Sequence, residues 1–62
     1  MAHLTRITTE VFFNAQGATR TSLLVTTLSK DPSVILAEAR RKARACYGLD
    51  IHNLRLGHQS FL

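Results

Sequence analysis

The chain has 62 residues, with 8 Lys+Arg against 4 Asp+Glu, a formal net charge of +4, one Cys, one Pro and three Gly. That length sets one domain, residues 1–62, as the ceiling. Hydrophobic residues make up 45% and charged residues 19%, which excludes intrinsic disorder. The longest unbroken apolar run, Val34 to Ala37, is too short to cross a bilayer.

A domain of about 60 residues buries only roughly 60% of the surface of its unfolded chain. Chains this small commonly add disulfides, a metal or a partner subunit. Cys46 is alone and no Cys/His group has zinc spacing. We therefore expect self-association as a homodimer. The segment Met1-Ala2-His3-Leu4-Thr5-Arg6 has no continuous apolar stretch, so no secretory leader is expected. One free Cys suits a reducing cytoplasm, and the small size fits a bacterial or phage product.

Residues Thr5 to Phe13 predict a strand. Ile7, Thr9, Val11 and Phe13 fall on one face, and Arg6, Thr8, Glu10 and Phe12 on the other. Asn14 to Ala18 predict a turn, with Gly17 free to adopt positive φ. A second strand is expected from Arg20 to Ser29, completing a hairpin. Its centre, Leu23-Leu24-Val25, is apolar on both faces, where a surface hairpin strand keeps one face polar. Either a partner covers the second face or one leucine is exposed.

Asp31-Pro32 marks a helix start, with Asp31 as cap, Pro32 at the first helical position and Ser29 as a competing cap. The helix is expected to run from about Pro32 to Tyr47. Ile35/Leu36, Ala39, Ala43 and Cys46/Tyr47 form its apolar stripe. Gly48 supplies the left-handed end, with Leu49 folding back on the last turn. A third strand is expected from Asn53 to Ser60, with Leu54, Leu56 and His58 alternating against Arg55, Gly57 and Gln59. Gly57 weakens its interior. A right-handed crossover makes this strand parallel to the second. The expected fold is therefore α+β: ββαβ, a three-stranded sheet of order 2-1-3 with one helix packed on one face. The other face would carry Leu4, Phe12 and one row of the second strand.

Four of the eight basic residues lie in Arg40-Arg41-Lys42-Ala43-Arg44. At about 100° per residue Arg40, Arg41 and Arg44 form a positive strip, while Lys42 is placed to pair with Glu38. Such a strip contacts phosphate, or is a solvated helix face whose cations complement the macrodipole. The run resembles the phosphate-contacting motif of double-stranded RNA-binding domains, where it opens a helix that follows a β-hairpin. The resemblance implies phosphate contact by Arg40, Arg41 and Arg44. It covers five residues and identifies no family. Here the motif lies mid-helix, the family's first helix is missing, and the chain ends in a strand.

Thr5, Thr8, Thr9, Thr19, Thr21, Thr26 and Thr27, with Arg6 and Arg20, make the hairpin a candidate groove-entering ribbon, though threonine is also an ordinary strand-former. The second strand is the better dimer edge, with Leu23, Leu24, Val25 and Leu28 as its interface residues. His3, His52 and His58 are too far apart in sequence to form a metal pair, and Cys46 is expected to be a small core residue. No nucleophile motif or paired carboxylates occur. We expect no catalytic site, cofactor or metal. The expected function is nucleic-acid binding to the phosphate backbone through Arg40, Arg41, Arg44, Arg6 and Arg20. The alternative is a small protein-binding regulator or inhibitor that acts as a dimer through a sheet edge or the uncovered face.

Overall fold

A computed structural model describes residues 5–61. Strands β1 (Ile7–Asn14) and β2 (Ser22–Thr27) precede helix α1 (Pro32–Lys42), which continues into a π-helical turn, Ala43–Tyr47; strand β3 (His52–Phe61) closes the chain. The sheet order is β2-β1-β3, with β1 antiparallel to both neighbours. β2 and β3 are therefore parallel, and the ββαβ arrangement is the expected one. Leu4 and His3 lie outside the described residues.

The alternation in β1 assigns its two faces. Ile7, Thr9, Val11 and Phe13 are buried, and Val11 and Phe13 pack in one cluster with Ile35, Ala39 and Ala43. Opposite Thr9 and Val11 in the ladder, Val25 and Leu23 are buried with them. This settles which leucine row of β2 is core: Leu23 and Val25 pack inside, and Leu24 faces out. The turn Ala15–Ala18 closes on an Ala18 N–H to Ala15 carbonyl bond of 3.2 Å, with Gly17 at φ 77°. At the loop β2 begins only at Ser22, two residues later than expected, while β1 runs one residue further than expected, to Asn14.

The helix begins as its cap chemistry requires. The Asp31 carboxylate accepts from the Ser33 N–H at 2.9 Å and from its hydroxyl at 2.9 Å. Ser29 acts one step earlier, its hydroxyl accepting from the Asp31 N–H at 3.1 Å. Ile35, Ala39 and Ala43 are fully buried, at successive four-residue steps. Two alanines in this stripe let the helix lie close to the sheet, so a small chain encloses its core with little side-chain volume.

The last turn departs from the expected stripe. From Ala43 to Tyr47 the winding widens: the Gly48 N–H bonds to Arg44 and Ala43 carbonyls and the Leu49 N–H to Ala43. The Gly48-to-Arg44 and Leu49-to-Ala43 bonds each span one residue more than their counterparts in an α-helical glycine end. The extra residue turns Cys46 and Tyr47 off the core, and both are exposed. Cys46 is thus a surface thiol, not the core residue expected. Gly48 takes φ 65° as expected, and Leu49 packs back against the core.

β3 differs most from expectation. Thr9 pairs with Gln59 and Val11 with Leu56, so two steps on β1 meet three on β3; Phe12 with Arg55 and Asn14 with His52 repeat the mismatch. These are two bulges. Asn53, within the second, has φ 53°, a conformation asparagine tolerates. The first bulge shifts which residues face the helix. Gln59 takes the inward place expected of His58, and its amide donates to the buried Thr9 hydroxyl at 3.2 Å. His58 is exposed. Gly57 is where the Phe12 ring lies over the strand: an added Cβ would stand 2.6 Å from Phe12 Cε2 and 3.1 Å from the Glu10 carbonyl oxygen.

Candidate functional site

The basic residues fall into separate groups. Arg40, Arg41 and Arg44 line one pocket of about 280 Å³ together with Leu49, Asp50 and Ile51. The helix supplies the arginines by its periodicity. Gly48 supplies the rest, because a chain that reverses there carries residues 49–51 back along the final turns. The three arginines of the expected strip are therefore brought together.

Each also has an internal partner. Arg40 donates from Nη1 to the Ile51 carbonyl at 3.0 Å, which fixes its guanidinium on the pocket wall. Arg41 pairs with Glu38 three residues earlier. The hydrogen bond from Arg41 holds the Glu38 carboxyl below the usual carboxylate range, and the same contact raises Arg41. Arg44 stands 3.5 Å from an Asp50 oxygen, and the two side chains are 76% and 91% exposed. A pair that long and that exposed is a loose one.

Lys42 does not pair with Glu38 as expected; its ammonium donates instead to the Leu24 carbonyl. The register explains why that carbonyl is free. Phe13 donates to the Thr21 carbonyl at 2.9 Å, so odd positions of β1 bond across to β2. Ser22, Leu24 and Thr26, opposite the even positions, turn their backbone groups to the open edge. Arg20 donates to the Ser22 carbonyl at 3.3 Å, and its guanidinium lies 4.4 Å above the Tyr47 ring. Two successive edge carbonyls of β2 are thus taken by cations.

That guard bears on the expected dimer edge. A second strand pairing along β2 would have to displace Arg20 and Lys42. Of the four residues assigned to that interface, Leu23 and Val25 are buried in the core of the single chain, because their side chains face the helix. Leu24 and Leu28 remain, 56% and 58% exposed. With Phe12, 37% exposed, Leu24 lies on the sheet face that the helix leaves uncovered.

Arg6 is not brought to the other arginines. It lines a second pocket, of about 410 Å³, with Thr26, Thr27 and Leu28, beside the end of β2 that leads into the helix start. Arg20 lies at the opposite end, against Tyr47, but turns toward the β2 edge. The sequence reading missed Asp50 and the edge role of Lys42. The signal for Asp50 was its place just beyond the helix-reversing Gly48; the edge role had none.

Among the described residues, no three His, Cys, Asp or Glu side chains form a metal-holding group, and no helix is long and apolar enough to cross a membrane. No family model, curated protein or solved structure matches the chain.

Proposed function

We propose that this chain is a non-enzymatic nucleic-acid-binding module that contacts phosphate through Arg40, Arg41 and Arg44. The convergence of these three side chains on one pocket carries the reading. Arginine suits the task, since its planar fork matches phosphate oxygens two at a time. The two nearby carboxylates only partly offset the charge, and both arginine pairs are exposed enough to exchange for an external anion. Arg20 flanks the same end of the helix, while Arg6 is too far along the sheet to join one contact patch. A reducing cytoplasm suits a chain whose one cysteine is free and exposed.

Binding should fall steeply with salt. One to three phosphate contacts give a slope of about −1 to −3 in log K against log salt. The double variant Arg41→Glu/Arg44→Glu should lose binding and keep its circular dichroism, because both side chains are exposed. A gel-shift series on mixed RNA and DNA that yields no complex at low salt would end this reading.

The second reading is a protein-binding regulator or inhibitor that docks, or dimerises, through the uncovered sheet face. The exposure of Leu24, Leu28 and Phe12 favours it. Leu24→Lys or Leu28→Lys should then change the mass seen by light scattering or abolish partner binding. Unchanged mass and partner capture, with the fold intact, would remove it.

A further inference from the structure

We infer that the arginine pocket is a subsite for a terminal phosphate monoester at a nucleic-acid end, with Asp50 as its built-in competitor. The inference rests on the nucleic-acid reading above and specifies its ligand.

The shape argues for an end. An unbroken backbone is a ridge of phosphodiesters, and it is matched by cations set along an open surface. Arg40, Arg41 and Arg44 instead line a concavity together with Leu49 and Ile51. Its volume of about 280 Å³ accommodates a phosphate together with part of the sugar it esterifies, and the two aliphatic side chains suit the less polar portion.

The charge argues in the same direction. A monoester carries about −1.5 to −2 at neutral pH, whereas a diester carries about −1. Arg40 is held in place by the Ile51 carbonyl through one nitrogen, which leaves most of its N–H donors for a ligand. Arg44 is held more weakly, by a contact of 3.5 Å. Asp50 is the carboxylate among the lining residues and stands where an incoming anion would displace it. An anion of higher charge competes better with that carboxylate, so the pocket selects the end over the chain.

The test is fluorescence anisotropy on the full chain with one short single-stranded oligonucleotide prepared 5′-phosphorylated, 3′-phosphorylated and unphosphorylated. At least one phosphorylated end should bind about tenfold or more tightly than the unphosphorylated form, in line with charge-assisted hydrogen bonds. Arg44→Gln should erase that ratio. Asp50→Asn should tighten binding of the phosphorylated end about tenfold, since one unit charge about 4 Å away in water is worth about fivefold against a single negative charge and more against a monoester of about −1.5 to −2. Both positions are exposed, so both variants should fold. Equal affinity for all three oligonucleotides, with salt dependence intact, overturns this inference and leaves the proposed function standing. Binding of none of them overturns both. A phosphoserine peptide that binds as tightly as the phosphorylated oligonucleotide overturns the nucleic-acid end in favour of a phosphorylated protein.

Discussion

Phe12 and Phe13 are neighbours in the chain and sit on opposite faces of one sheet. Phe13 is fully buried against the helix. Phe12 lies on the uncovered face, half-sheltered by the backbone of Gly57. The same contrast repeats across the ladder in Leu23, which is buried, and Leu24, which is exposed. One helix cannot cover both faces of a sheet. The chain commits its aliphatic volume to one face and defends the other by local devices: a ring over a glycine, a hydroxyl pair between Thr8 and Thr26 at 3.3 Å, and cations on the β2 edge. Core stability and surface chemistry are therefore drawn from alternate residues of the same strands.

The largest expected effect breaks the covered face. Phe13→Ala should cost about 3–5 kcal/mol, the range for large-to-small changes of a buried aromatic. A domain of this size holds only on the order of 5 kcal/mol, so the variant should keep no more than about 2 kcal/mol and unfold at far lower urea than the wild type. Phe12→Ala should cost about 1 kcal/mol, since its ring is only partly removed from water. Urea unfolding followed by circular dichroism measures both. Equal losses at the two positions would mean that the uncovered face is packed after all.

A smaller effect sharpens the account of the open face. Gly57→Ala places a methyl group against the Phe12 ring and close to the Glu10 carbonyl. It should cost about 1–2 kcal/mol by overpacking. In a Phe12→Ala background the ring is gone and the cost should drop by at least half. A double-mutant cycle reads this coupling. Additive losses would show that the ring does not shape the bulge.

The edge comes next. Replacing Lys42 and Arg20 together by methionine keeps much of each side chain's length and removes the donors that cap Ser22 and Leu24. Stability should change by less than about 1 kcal/mol, as for exposed polar contacts. Self-association should rise, because two edge carbonyls become free to pair. Sedimentation velocity over a concentration series would show it, and a variant that stays at the wild-type mass would mean that the cations do not guard this edge.

Much of this was legible in the sequence, and the failures have physical causes. The period-2 pattern from Ile7 to Phe13, the Asp31-Pro32 start and the Gly48 end are local, and each formed where the local chemistry put it. The convergence of Arg40, Arg41 and Arg44 followed from helix periodicity. β3 was misread because register belongs to two strands at once. Asn53 and Gly57 are both bulge-tolerant residues, but only pairing with β1 shows that an extra residue is inserted at each place and that Gln59 replaces His58 on the inner face. Cys46 and Tyr47 were misread because the widened turn breaks the 3.6-residue spacing assumed for them. Lys42 was assigned to Glu38 by helix spacing alone, whereas Arg41 reaches that carboxylate and the β2 edge offers Lys42 a carbonyl that no local rule could place.

The smallest effect concerns pH and separates the helix from the sheet it covers. The hydrogen bonds from Ser33 hold the Asp31 carboxyl below its usual value of 3.8. A carboxyl depressed in the folded state stabilises the fold above its unfolded value, and that contribution is lost as pH falls through the folded one. Glu38, lowered by Arg41, acts with the same sign. Melting temperature should therefore hold level from pH 7 to about 5 and fall below about pH 4. Asp31→Ser retains a capping oxygen without a titrating group. In a Glu38→Gln background, it should flatten most of the remaining acid slope. An undiminished slope in the double variant would place the acid sensitivity outside the helix and would remove the helix cap from the account of how the covered face is held.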